Sequence, residues 1–205
     1  MIKMTFSPEE VACNFCEYGT SNGNCKISIC PFISERIEAG VVGYREVVAD
    51  TFPGNSMLSA RLHSLVRGFP GSLWAEDQHR VRMEHIKLLR PFKQERDTPA
   101  YYAALYLLTS DQELYDRAFE CFQPDGIDFG RMQIMGISPH GYTLFNAARS
   151  IYAGDAHLAI EDMADPEIVE PYTFRLIINA FLIARYGLPV LEVKDQKARF
   201  SFKTP

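Results

Sequence analysis

Two stretches of this chain are apolar on nearly every side of the helix that each predicts. Residues 101–108 read YYAALYLL, every one aromatic, alanine or leucine. In residues 174–184 the stripe Phe174, Ile177, Ile178 and Phe181 is joined by Leu176, Leu182 and Ile183. A helix that is apolar all round has to be enclosed by others, so the two predict the centre of a helical bundle. Neither reaches the about 18 apolar residues that a membrane span needs, and Asn179 interrupts the second. Fourteen Phe and ten Tyr in 205 residues supply bulk for a real core. A chain of this length buries roughly 70 % of its unfolded surface and needs no staples to fold.

Around these two stretches, helix starts and stops are marked by Pro, Gly and short polar residues. Ser7-Pro8 predicts a first helix, broken by the Gly/Asn/Ser-rich residues 13–30. A short helix then runs from Cys30-Pro31 to Gly40 and another from Tyr44 to about Thr51, where Pro53-Gly54 stops it. Asn55 or Ser56 is placed to cap a helix reaching Arg67, and Ser72 one reaching about Arg90. Asp97-Thr98-Pro99 opens the first apolar helix. Ser110 and Glu113 have capping-box spacing, which predicts a separate helix ending near Phe122. Ser138-Pro139 opens a helix that ends at Gly154, Asp165-Pro166 and Glu170-Pro171 both mark starts, and Gly187 closes the last long helix. Two β-rich runs, 189–193 and 198–202, predict a terminal hairpin over about 189–203. Residues 124–137 read as a strand or an extended loop, from the alternation of Met132 and Ile134.

The residues with the most distinctive chemistry are Cys13, Cys16, Cys25 and Cys30, spaced C-x2-C-x8-C-x4-C. Each half can offer two thiolates to one metal, and Gly19, Asn22, Gly23 and Asn24 allow the tight turns that fold the halves together. Tetrahedral zinc, with sulfur at about 2.3 Å, is the natural occupant, and four protein ligands make such a site structural. An iron–sulfur cluster is the minor alternative, since Cys30-Pro31 ends like a ferredoxin motif whose other spacings are absent. A redox-active Cys13–Cys16 pair and four unrelated thiols are the remaining readings. The opening MIKMTFSPEE meets charge before any apolar signal region, so a cytoplasmic location is expected, where thiols stay reduced. Cys121, between Glu120 and Phe122, reads as a small buried hydrophobe. The expected fold is therefore mainly α: a cysteine-rich zinc-knuckle segment at 1–40 and a helical bundle at 41–205 with a small C-terminal β-hairpin.

The net charge of −5 is uneven. Residues 1–60 carry four Lys/Arg and seven Asp/Glu, residues 61–96 eight and four, and residues 97–205 nine and fifteen. An acidic whole argues against general phosphate neutralisation as the chain's task. The middle segment is the candidate partner-binding surface, through Trp74, Arg80, Arg82, Lys87 and Arg90. The plainer reading is a solvated amphipathic helix with Val81, Ile86, Leu88 and Leu89 turned inward and Arg80 paired with Glu84.

No motif names an enzyme, and no residue is assigned a catalytic role. H-E-x-x-H, the phosphate-binding G-x-x-x-x-G-K-[ST] and G-x-G-x-x-G are all absent. Ser138 before Pro139 fits an N-cap better than a nucleophile. The only polar group dense enough for catalysis is Asp125, Asp128, Arg131 and His140, around loop 124–141.

Residues 97–152, with LYDRAFECF, PDGIDFG and ARSIY, resemble uncharacterised small proteins of bacterial phages and conjugative elements, as does FRLIINAFLIARYG at 174–187. The resemblance covers about half the chain and implies an accessory protein without an assigned role. Together these features favour a non-enzymatic interaction module, protein-binding, in the form of an accessory regulator or inhibitor. The alternatives are nucleic-acid binding through the cysteine knuckle and helix 72–96, and an enzyme built around loop 124–141.

Overall fold

The computed structural model describes residues 10, 11, 13, 16–18, 30–155 and 157–194. The helix expected at Ser7-Pro8, Cys25 and the second strand of the expected hairpin lie outside them.

Among the described residues nine α-helices follow one another: α1 (Ile33–Glu38), α2 (Tyr44–Thr51), α3 (Ser59–Arg67), α4 (Asp77–Leu89), α5 (Pro99–Leu108), α6 (Gln112–Ala118), α7 (Pro139–Ala153), α8 (Ile160–Ala164) and α9 (Pro171–Tyr186). The apolar segments are central, as their composition requires. Helix α5 packs against both α7 and α9, and α9 also meets α2. In α5 every side chain from Ala103 to Leu108 is buried, together with Tyr101. Truncating such a leucine to alanine costs about 2–5 kcal/mol, because the neighbours cannot collapse into the space. Ile33 and Ile37 of α1 belong to this same core.

The punctuation acts as the sequence predicts at the longer helices. Thr98 accepts the Tyr101 amide in front of Pro99, and Ser138 accepts the Gly141 amide in front of Pro139. Gly154 and Gly187, both with φ of 75°, close α7 and α9 where residues with a Cβ would be strained.

One buried polar group sits inside this apolar centre. Asn179 of α9 accepts a hydrogen bond from Tyr44 of α2 (2.7 Å) and donates to the Leu73 carbonyl (3.1 Å) and to the Tyr106 hydroxyl of α5 (3.2 Å). The Tyr106 hydroxyl donates to the Leu73 carbonyl as well. Burial pushes the phenols of Tyr44 and Tyr106 well above their ordinary range, so both stay neutral donors.

Four details differ from the sequence expectations. Residues 188–192 form a 3₁₀ helix rather than a strand, with Val190 and Leu191 buried. Pro189, in the first turn after the positive-φ Gly187, fits the start of a helical turn better than a strand. Asp165-Pro166 opens no helix: Asp165 caps a local turn by accepting the Glu167 amide, after the short α8 has ended. Helix α4 begins at Asp77, since Ser72 accepts the Trp74 amide and caps a turn. Strand pairing falls earlier than Met132 and Ile134 suggest: β1 (Phe122–Gln123) and β2 (Gly126–Ile127) are antiparallel, 129–131 is a 3₁₀ turn, and Met132 and Ile134 lie in a loop. Gly126 is required there, because a Cβ on it would lie 2.3 Å from the Tyr152 hydroxyl, which accepts the Ile127 amide.

Candidate functional site

Helix α4 carries most of the residues that the charge pattern singled out, but its orientation is not the one expected. Of Val81, Ile86, Leu88 and Leu89, only Ile86 points inward. Val81 is 58 % exposed, Leu88 79 %, Leu89 43 %, and Phe92 beyond the helix 74 %. Met83 and Ile86 face the core together with two polar residues, His79 and Arg82.

The reason lies in the carbonyls at the C-terminal end of α5. Arg82 donates to the Thr109 carbonyl (2.7 Å) and the Ser110 carbonyl (2.9 Å), and pairs with Glu76 (2.9 Å). A guanidinium satisfies several orphan carbonyls of a helix end at once. His79 is enclosed: its Nδ1 accepts the Ala75 amide (3.1 Å), which leaves the proton on Nε2 to donate to the Tyr106 carbonyl (2.8 Å). Burial drives its pKa down to about 3, so this histidine is a neutral fastener. With Arg82 and His79 turned in, the 100° step of the helix turns Val81 and Leu88 out.

The five expected partner-binding residues therefore divide. Arg80 is exposed and Lys87 half-buried, paired with Glu84 at 2.8 Å, so the expected Arg80–Glu84 pair is not formed. Arg82 is a buried tether. Arg90 donates to the Phe122 carbonyl (2.9 Å), and Trp74 packs edge-on against His79 at 5.1 Å. Other cations of 61–96 are also held by the fold. Arg96 is buried against Asp97 and donates to the carbonyls of Arg90 and Pro91. Arg61 donates to the carbonyls of Met163, Asp165 and Val169. The local charge of +4 is thus not a continuous basic surface, and α4 exposes Val81, Leu88 and Leu89 beside Asp77, Gln78, Arg80, Glu84 and His85.

The residues of the loop 124–141 grouping do not converge. Asp125 pairs with Lys93, and Asp128 accepts from Arg131 and from the Gly130 amide. His140 lies elsewhere, where the N-termini of α6, α7 and α9 meet. Its Nδ1 is 2.6 Å from the Thr173 hydroxyl and 3.4 Å from Glu170, and its Nε2 is 3.6 Å from Asp111. Although burial pushes the other way, His140, the Leu114 amide and Arg82 hold the Asp111 carboxyl below the usual range. Sequence reading did not connect Asp111, Glu170 and Thr173 with His140. Each stands in the first turn of a helix, where capping accounts for it, and only tertiary packing joins them. A hydroxyl, an imidazole and a carboxylate in series have the outline of an activated nucleophile. Thr173 is 1 % exposed, however, so no substrate reaches its oxygen. The group reads as a polar junction in which two carboxylates answer the positive ends of three helices.

Among the described residues, no three His, Cys, Asp or Glu side chains form a group able to hold a metal. Cys13, Cys16 and Cys30 are free thiols, and the Cys13 carbonyl accepts the Cys16 amide (3.2 Å), the turn that C-x2-C spacing needs. Arg36 of α1 lies 4.0 Å from the Cys30 sulfur and feels the charge of Cys13. Cys121 is buried as expected, and burial, with the charge of Asp128, raises its thiol to about 11.

No protein-family model, curated protein or solved structure matches the chain. Among the described residues, no helix is long and apolar enough to cross a membrane.

Proposed function

We propose that the chain is a non-enzymatic protein-binding module that docks its partner on α4. The observation that carries this reading is the exposure of Val81 and Leu88, two turns apart on one face of α4, with Leu89 beside them and Phe92 just past the helix end. Exposed apolar side chains in register on one helix are what a partner protein covers, and charged side chains at the edge set its orientation. Arg80 and Lys87 supply that edge, while Arg82 and Arg90 brace the helix from behind. In this reading zinc held by Cys13, Cys16, Cys25 and Cys30 is structural, and Arg36 balances part of the thiolate charge. If the resemblance to mobile-element proteins holds, the partner is a protein of the host that the chain restrains.

The test is a paired substitution, Leu88→Glu with Phe92→Glu. Both side chains are exposed, so the melting temperature should stay where it is. A partner recovered by affinity capture and then re-bound as a purified protein should lose at least about tenfold in affinity, since two apolar anchors are worth more than 1.4 kcal/mol. Unchanged affinity would sink the assignment. So would tight binding of single-stranded RNA or DNA that falls steeply with salt, which would favour nucleic-acid recognition instead.

A further inference from the structure

Helices α2 and α3 enclose a groove of about 670 Å³ that neither the α4 surface nor the polar junction uses. One stripe of each helix lines it. Arg45, Val48, Ala49 and Phe52 recur at helical spacing on or just beyond α2, and Ser59, Leu62, His63 and Val66 do so on α3. Val48, Phe52, Leu62 and Val66 give the groove an apolar floor. Phe52 is fixed from beneath by an edge-on contact with Phe181 of α9 at 6.0 Å, so the floor is part of the packed core.

The charge of this groove runs against that of the chain. The whole carries 26 Asp and Glu against 21 Lys and Arg, yet no acidic residue lines the groove. Arg45, His63 and Arg67 do line it, and all three are exposed. Among the described residues none of the three makes an ion pair or a side-chain hydrogen bond. Elsewhere, Arg36 pairs with Glu46, Arg117 with Glu113, Arg131 with Asp128 and Arg185 with Asp50. Two uncompensated guanidiniums and an imidazole over an apolar floor form a surface whose complement is acidic and apolar at once.

The size of the groove narrows the occupant further. Its walls are helices of eight and nine residues, each about 12–14 Å long at 1.5 Å per residue. That accommodates about two turns of a partner helix. A small ligand requires enclosure over most of its surface, whereas the cationic side chains here stand open to solvent. We infer that the α2–α3 groove is a second docking site, for an acidic amphipathic helix of a partner protein. Apolar side chains at i, i+3, i+4 and i+7 would lie on Val48, Phe52, Leu62 and Val66, and its carboxylates would meet Arg45, His63 and Arg67. The site goes beyond the α4 reading and stands whether or not α4 binds anything.

The experiment uses the full chain and a fluorescent synthetic peptide of about 12 residues with leucine at i, i+3, i+4 and i+7 and glutamate on its flanks. A second peptide replaces each glutamate by lysine. The glutamate peptide should bind, weaken as salt rises through the physiological range, and lose at least about tenfold in affinity with Arg45→Glu/Arg67→Glu. Both arginines are exposed and unpaired, so the melting temperature should not move. Val66→Glu, which charges the floor, should weaken binding as well. Arg131→Glu, a charge reversal outside the groove, should leave it unchanged. The inference is overturned if the lysine peptide binds equally well, if the double reversal has no effect, or if no binding occurs. It is also overturned if phosphatidylglycerol vesicles bind through Arg45 and Arg67 while the peptide does not. Self-association abolished by the double reversal would assign the groove to a second copy of the chain and overturn it too.

Discussion

At the scale of single residues, the polar groups buried in the centre decide which packing is acceptable. The Tyr44–Asn179–Tyr106 network ties α2, α5 and α9 to the carbonyl of Leu73. Its apolar surroundings would tolerate many rotations of α9, but only one brings the amide of Asn179 to all three partners. Asn179→Leu keeps the volume and removes the bonds, orphaning the Tyr44 hydroxyl and weakening the hold on Leu73. Each buried group left unsatisfied costs about 1–3 kcal/mol, so the variant should lose that much or more, read from its urea midpoint. Tyr44→Phe should cost a similar amount alone. The double variant should fall short of the sum, because each change already removes the bond that the other would. Additive losses would mean that the network is not a unit. Asp111 gives a second residue-scale test, through pH. Its carboxyl titrates below the usual carboxylate range in the folded chain, so its contribution is present above the unfolded value and is lost as the pH falls through the folded one. Stability of the parent chain should therefore drop below about pH 4, and Asp111→Asn should flatten part of that drop. An unchanged acid limb would assign the drop to other carboxylates.

At the scale of elements, α4 shows how a helix can invert the expectation drawn from its own composition. Arg82→Ala should destabilise the fold by about 2–4 kcal/mol, since it strips charged hydrogen bonds from two buried carbonyls. Arg80→Ala, one residue pair away, should stay within about 0.5 kcal/mol. Chemical denaturation of the two variants measures both, and equal effects would contradict the inward placement of Arg82. The same helix marks the limit of what the sequence discloses. Element existence was legible at most caps, prolines and glycines: Thr98-Pro99, Ser138-Pro139, Glu170-Pro171 and Gly187 stand where their chemistry predicts, whereas Asp165-Pro166 and Ser72 serve local turns. The apolar content of α5 and α9 correctly placed them at the centre. What stayed hidden depended on contacts across the fold. Nothing local reveals that the carbonyls of Thr109 and Ser110 need Arg82, so Val81 and Leu88 look inward on any helical projection that counts only apolar residues. His140 was likewise visible as a first-turn residue, while its meeting with Asp111, Glu170 and Thr173 required three helix ends to converge. At residues 188–192, β-rich composition lost to the backbone demands of Gly187 and Pro189.

At the scale of the whole molecule, the core and the cysteine motif make separable demands on stability. The buried cluster runs from Ile33 of α1 to Val193, drawing on helices along its whole length. Among the described residues its buried side chains begin at Ile33, with Cys30 half-buried against the same cluster. The described part of the cysteine motif reaches the bundle through Cys30, half-buried against the core with its sulfur 4.0 Å from Arg36. A zinc ion held by Cys13, Cys16, Cys25 and Cys30 would therefore order the segment that carries them without being needed by α5, α7 or α9. Elemental analysis of the purified chain should find one zinc per molecule, and Cys13→Ser/Cys25→Ser should lose it. Chelation should expose the segment before Ile33 to limited proteolysis while the cooperative melting of the bundle keeps its midpoint. A midpoint that falls with the metal would make the motif an integral part of the core. Iron with a visible absorption band would replace the structural role by an iron–sulfur one. A chain that purifies without metal, from cells grown with zinc, would return the four cysteines to separate thiols. Arg36→Ala adds a measurement that a merely structural arginine would not move. With the guanidinium gone, thiolate charge near Cys13 and Cys30 loses its nearest counter-charge, so zinc should leave the variant at a higher pH than it leaves the parent chain.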